Sequence, residues 1–146
     1  MKTKLLTIAF AMMACGANAA VQNYDCQLHS IEAQGWIPQR VILSVDTDGK
    51  QARAFDGHIR ESNNLAGLEE FTPAKAKLKT TSKGEYRLTW KVRLSSNSSR
   101  RYRVNYIATL DPQTNQLGLR ATFPMDGLSN RPSGEGPCKL IETSLF

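Results

Sequence analysis

Short supplies of particular residues exclude several classes of protein at the outset. Histidine occurs only at His29 and His58, and neither stands in a His-x-x-x-His, Gly-x-Ser-x-Gly or cysteine-histidine arrangement. No metal centre, cofactor site or catalytic nucleophile is nominated, so a non-enzymatic protein is expected. Asp46-Thr47-Asp48-Gly49 opens like a calcium loop, but the acidic ligands that should follow are missing and the stretch reads as a hairpin turn. No apolar run reaches the roughly 20 residues that span a bilayer as a helix. Internal repeats and coiled-coil heptads are absent as well.

Cysteine is scarce too, with three in 146 residues. The first, Cys15, falls in a segment with the pattern of a secretory signal helix. A cationic start at Met1 to Lys4 is followed by an apolar run from Leu5 to Ala14, then by small residues, with Ala17-Asn18-Ala19 presenting a cleavage site before Ala20. Residues 1–19 are therefore expected to leave, and 20–146 to form a single β domain in the periplasm or outside the cell. Lipidation of Cys15 is the lesser alternative, because Met12-Met13-Ala14 is a poor signal for it. Cys26 and Cys138 then remain in an oxidising compartment, where two cysteines permit one pairing. A disulfide closing so long a loop is worth about 4–5 kcal/mol in the chain-entropy model.

What is abundant is alternation. Tyr86, Leu88, Trp90, Val92 and Leu94 interleave with Arg87, Thr89, Lys91 and Arg93, a half-buried strand rather than a helix. The same period runs through Ala74 to Lys79, Arg101 to Leu110 and Leu117 to Phe123. Short polar connectors separate them, so 74–123 reads as a four-stranded antiparallel meander. Strands are also expected over 24–30, 41–45, 51–59 and 138–143, with a loop over 124–137. Leu65, Leu68 and Phe71, at helical spacing, mark a helix over 64–71. The fold class is all-β, about eight strands forming a closed barrel or a two-sheet sandwich.

Strand phase carries the functional expectation. If Trp90 faces inward, then Lys75, Lys77, Lys79, Arg87, Lys91, Arg93, Arg101, Arg103 and Arg120 share an outer face. Residues 74–107 hold ten basic residues against one acidic, Glu85. Charge segregated in this way calls for solvent screening or an anionic partner. In the envelope that partner is an anionic lipid, a polysaccharide or an acidic protein. Nucleic acid is disfavoured, because the aromatics that should interleave with the cations fall on the inward phase. Trp36, Tyr86, Trp90, Tyr102, Tyr106 and Phe123 either fill the core or line a pocket for a small apolar ligand, which makes an apolar-ligand carrier the alternative function.

The plan of a leader, a cysteine in the first strand, another near the end and eight strands between resembles that of the small periplasmic barrels that inhibit lysozyme in bacteria. The resemblance implies an envelope inhibitor or accessory protein. A lysozyme inhibitor meets a basic enzyme, which the cationic face would repel.

Overall fold

The computed structural model describes residues 21–30, 35–96, 99–124 and 131–146. The leader expected over 1–19 and the alternative at Cys15 lie outside the described residues. In chain order come β1 (Gln22–Gln27), β2 (His29–Ser30), β3 (Arg40–Asp46), β4 (Gln51–Asp56), α1 (Gly57–Ala66), β5 (Ala74–Thr80), β6 (Tyr86–Ser95), β7 (Arg101–Asp111), β8 (Gln116–Thr122) and β9 (Ser133–Ile141).

Pairing is antiparallel throughout. From β3 onward each strand lies beside its successor, β1 lies beside β3, and β9 returns to β1. Eight strands close a barrel, while β2 continues the line of β1 past Leu28 and also pairs with β9. This closure decides for the barrel over the sandwich. The expected meander is β5 to β8.

The alternation works as expected. Leu88, Trp90, Val92 and Leu94 of β6 are buried, as are Val104, Tyr106, Ala108 and Leu110 of β7. Register sets Trp90 opposite Tyr106 and Leu88 opposite Ala108. Each fully buried aliphatic or aromatic side chain stabilises by roughly 1.5–3 kcal/mol, so the inner phase drives closure. At the seam, Cys26 of β1 and Cys138 of β9 are direct cross-strand partners and form the disulfide.

Several boundaries differ from expectation, beginning with the strand expected over 24–30, which breaks at Leu28 into β1 and β2. The strand expected over 51–59 stops at Asp56, whose carboxylate accepts the Ile59 N–H at 2.8 Å and caps α1. The helix therefore starts earlier than 64 and ends before Gly67, which takes the left-handed conformation that terminates it. Leu68 and Phe71 are consequently outside the helix and exposed. The last strand begins at Ser133 rather than 138, inside the stretch expected to be loop. Glycine permits this: a Cβ on Gly136 would collide with the Gln27 carbonyl where β9 lies against the β1–β2 junction.

One irregularity positions the site. β5 pairs with β4 through Ala74 to Ala76, then with β6 from Lys77 to Thr80. Past Thr89, β6 has no strand on that side, and α1 occupies the gap. Ser62 Oγ accepts the Arg93 N–H at 3.0 Å, and Glu61 Oε1 accepts the Ser95 N–H at 3.1 Å and its hydroxyl at 2.7 Å. Backbone donors that a strand would have bonded are satisfied by helix side chains instead.

Candidate anion-binding site

All nine expected cations are exposed on the outer phase of β5, β6, β7 and β8. The register then distributes them. Arg93 lies directly opposite Arg103, and Lys79 directly opposite Arg87. Lys91 extends the pair along β6, opposite Asn105, and Arg101 extends it the other way along β7, opposite Ser95, giving a staggered row of four positive groups. Like charges facing each other across a ladder destabilise it, by roughly 0.2–1 kcal/mol per pair.

The two ion pairs among the described residues join Arg40 to Asp25 and Arg60 to Glu70, and use none of the nine cations. Glu61, the acid closest in sequence to Ser62, holds Ser95 instead.

The array has a floor. Between α1 and the outer side of β6 and β7 runs a groove of about 350 Å³, where Lys91, Arg93, Arg101 and Arg103 meet Leu65 and Ala66 of the helix. Cationic rims around an apolar strip suit a ligand with both an anionic group and an apolar part. Other expected cations are elsewhere. Arg87 and Arg120 border a separate concavity of about 700 Å³ that Glu135 also lines. Lys75 is paired across the ladder with Arg53 of β4, and Lys77 with Thr89 of β6.

No family model, curated protein or solved structure matches this chain.

Of the six aromatics expected inside, five gather at one end of the barrel. Trp36 meets Tyr102 and Phe123 edge-on, with centroids 5.9 and 4.9 Å apart, while Trp90 stacks on Tyr106 at 5.6 Å. Tyr86 sits at the other end of β6, opposite Leu110. Inner side chains such as Leu43, Leu88, Val104 and Tyr106 are 0% exposed, so no water-sized void adjoins them, and Trp36, Tyr86, Tyr102 and Phe123 pack, partly buried, against that core. Such packing favours the core role of these aromatics over a ligand pocket.

Four residues had no place in the site expected from sequence. Ser62, Leu65 and Ala66 became groove walls because α1 starts at Gly57, which the Asp56-Gly57 pair signals in retrospect as cap and first turn. His58, near the end of the strand expected over 51–59, is half-buried at the start of α1, with Nδ1 2.9 Å from the Tyr106 hydroxyl. Only a fold that brings β7 beneath α1 makes that contact.

Proposed function

We propose that this protein is a non-enzymatic binding module that holds an anionic ligand of the cell envelope against the groove between α1 and the β6–β7 face. Lys91, Arg93, Arg101 and Arg103 supply charge-assisted contacts, and Leu65 with Ala66 the apolar side. The opposition of Arg93 and Arg103 without a carboxylate partner carries the reading, because a sheet gains no stability from facing two guanidiniums. Export to the periplasm or beyond, the compartment that suits the Cys26–Cys138 disulfide, belongs to the same proposal.

Retention on immobilised heparin, a soluble acidic polysaccharide, tests it. Wild-type protein should bind at low salt and elute as salt rises, since exposed charges are screened within about 8 Å at physiological ionic strength. The double variant Arg93→Glu/Arg103→Glu should pass through the column while keeping a wild-type circular dichroism spectrum. Elution of that variant alongside wild type would remove the groove from consideration.

A further inference from the structure

Beyond the groove, α1 leads into a loop whose shape is held by one buried side chain. Asn63 Nδ2 donates to the Glu70 carbonyl at 3.1 Å and to the Thr72 carbonyl at 2.8 Å. The Leu68 N–H closes on the Asn63 carbonyl at 2.9 Å, past the left-handed Gly67. Held this way, the loop presents Leu68 at 58% exposure and Phe71 at 70%, two of the four large apolar side chains most open to solvent among the described residues. Phe71 meets the barrel through a tilted contact with Phe55, centroids 6.1 Å apart. A fixed loop that keeps a leucine and a phenylalanine in water contributes little to stability, and an exposed apolar patch beside like charges is the signature of an interaction surface.

The loop lies between the groove helix and a cationic strand. It follows the helix whose Leu65 and Ala66 line the cationic groove, and it enters β5, whose Lys75, Lys77 and Lys79 all face outward. Apolar tips and unpaired cations thus lie on the same side of the barrel, around the gap that α1 fills. Of the two loop acids, Glu70 is paired with Arg60 at 3.4 Å, which leaves Glu69 exposed.

We propose that this surface docks the protein on an anionic lipid bilayer, with Leu68 and Phe71 entering the headgroup region and the groove and β5 cations meeting lipid phosphates. The proposal rests on the anion-binding reading and names its ligand. A soluble polyanion would engage the cations but leave Leu68 and Phe71 without a role. A bilayer engages both, since interfacial binding adds buried apolar area to attraction by anionic headgroups.

Vesicle sedimentation separates the two readings. The full-length mature protein should bind phosphatidylcholine vesicles containing phosphatidylglycerol and should release them at high salt, with little binding to phosphatidylcholine alone. Leu68→Ser/Phe71→Ser should weaken vesicle partition about tenfold or more while leaving heparin retention unchanged. Glu69→Gln should strengthen partition, by removing a charge that anionic lipid repels. Phe71→Trp should show a blue-shifted emission with vesicles and quenching by brominated lipid, because Trp36 and Trp90 pack in the barrel. Equal vesicle binding by wild type and the serine double variant overturns bilayer docking and leaves the anion reading in place. Loss of both vesicle and heparin binding in Arg93→Glu/Arg103→Glu is expected under either reading. Absence of heparin and vesicle binding by wild type would sink both.

Discussion

The Tyr106 hydroxyl lies 2.6 Å from the Trp36 carbonyl and 2.9 Å from His58 Nδ1. A carbonyl only accepts, so the single hydroxyl proton goes to Trp36 and His58 must donate through Nδ1. The geometry therefore places a proton on His58 Nδ1 and ties α1, β7 and the segment before β3 into one chain of bonds. Tyr106→Phe removes it, leaving the Trp36 carbonyl and the His58 N–H without that partner, and should cost about 1–3 kcal/mol in urea unfolding. Nitrogen-15 NMR of the ring should find the proton on Nδ1 in wild type. An unprotonated Nδ1 would show that the assigned chain is wrong.

Alkali provides a second measurement. Burial pushes the Tyr24 phenol up from 10.0 to about 12, with Tyr86 adding to the effect. Burial raises Tyr106 as well, followed by the charges of Asp56 and Glu61. The unfolded chain releases these protons first, so the stabilisation is intact below pH 10 and is lost progressively as pH rises through 12. Phenolate absorbance should therefore report these two rings ionising together with loss of the circular dichroism signal. Their ionisation at ordinary tyrosine pH in a still-folded protein would contradict the buried environment.

Asp56 behaves in the opposite way to a salt-bridged acid. Burial raises its carboxyl above 3.8, against lowering by the Ile59 N–H, the charge of His58 and the His58 N–H. Its second oxygen is buried with no hydrogen-bond partner. The folded chain keeps this proton where the unfolded chain has lost it, so its contribution falls as pH climbs from 3.8 through the raised folded value. Asp56→Asn should flatten that slope while keeping a cap oxygen. Asp56→Ala should lose about 1 kcal/mol through the cap, measured by urea midpoints across pH. An unchanged slope in the asparagine variant would exclude Asp56 as its origin.

The cationic array makes a prediction that separates stability from binding. Arg93→Glu alone turns a repulsive pairing with Arg103 into an attractive one, so it should stabilise the barrel by a few tenths to 1 kcal/mol while weakening heparin retention. A variant that is both less stable and unimpaired in binding would argue that the opposition serves neither purpose.

The disulfide closes the barrel at its seam. Reduction, or Cys26→Ser/Cys138→Ser, should cost about 4 kcal/mol and expose β1 and β9 as free edges prone to association. Urea unfolding and light scattering with and without reductant measure the two effects. An unaltered midpoint would mean that β1–β9 pairing alone suffices.

Much of this was legible because a strand's side chains alternate with a fixed period. Tyr86 to Leu94 announced an inner and an outer phase, and the outer positions of nine cations followed from counting. Pro132 to Pro137 carried no such pattern, so the first half of β9 stayed hidden; it is a strand because Gly136 tolerates the Gln27 backbone at close approach. Leu65, Leu68 and Phe71 mimicked a helix period, but the Asp56 cap and the turn at Gly67 placed α1 elsewhere.

Local sequence, then, determined the strands from 74 to 122, the direction each of their side chains points, and the pair of cysteines available for a bridge, because these depend on neighbours along the chain. Tertiary structure alone decided that the sheet closes, that β5 changes partner and admits α1, and that Arg93 faces Arg103 beside Leu65. Those outcomes depend on register and on contacts between distant segments, which periodicity does not encode.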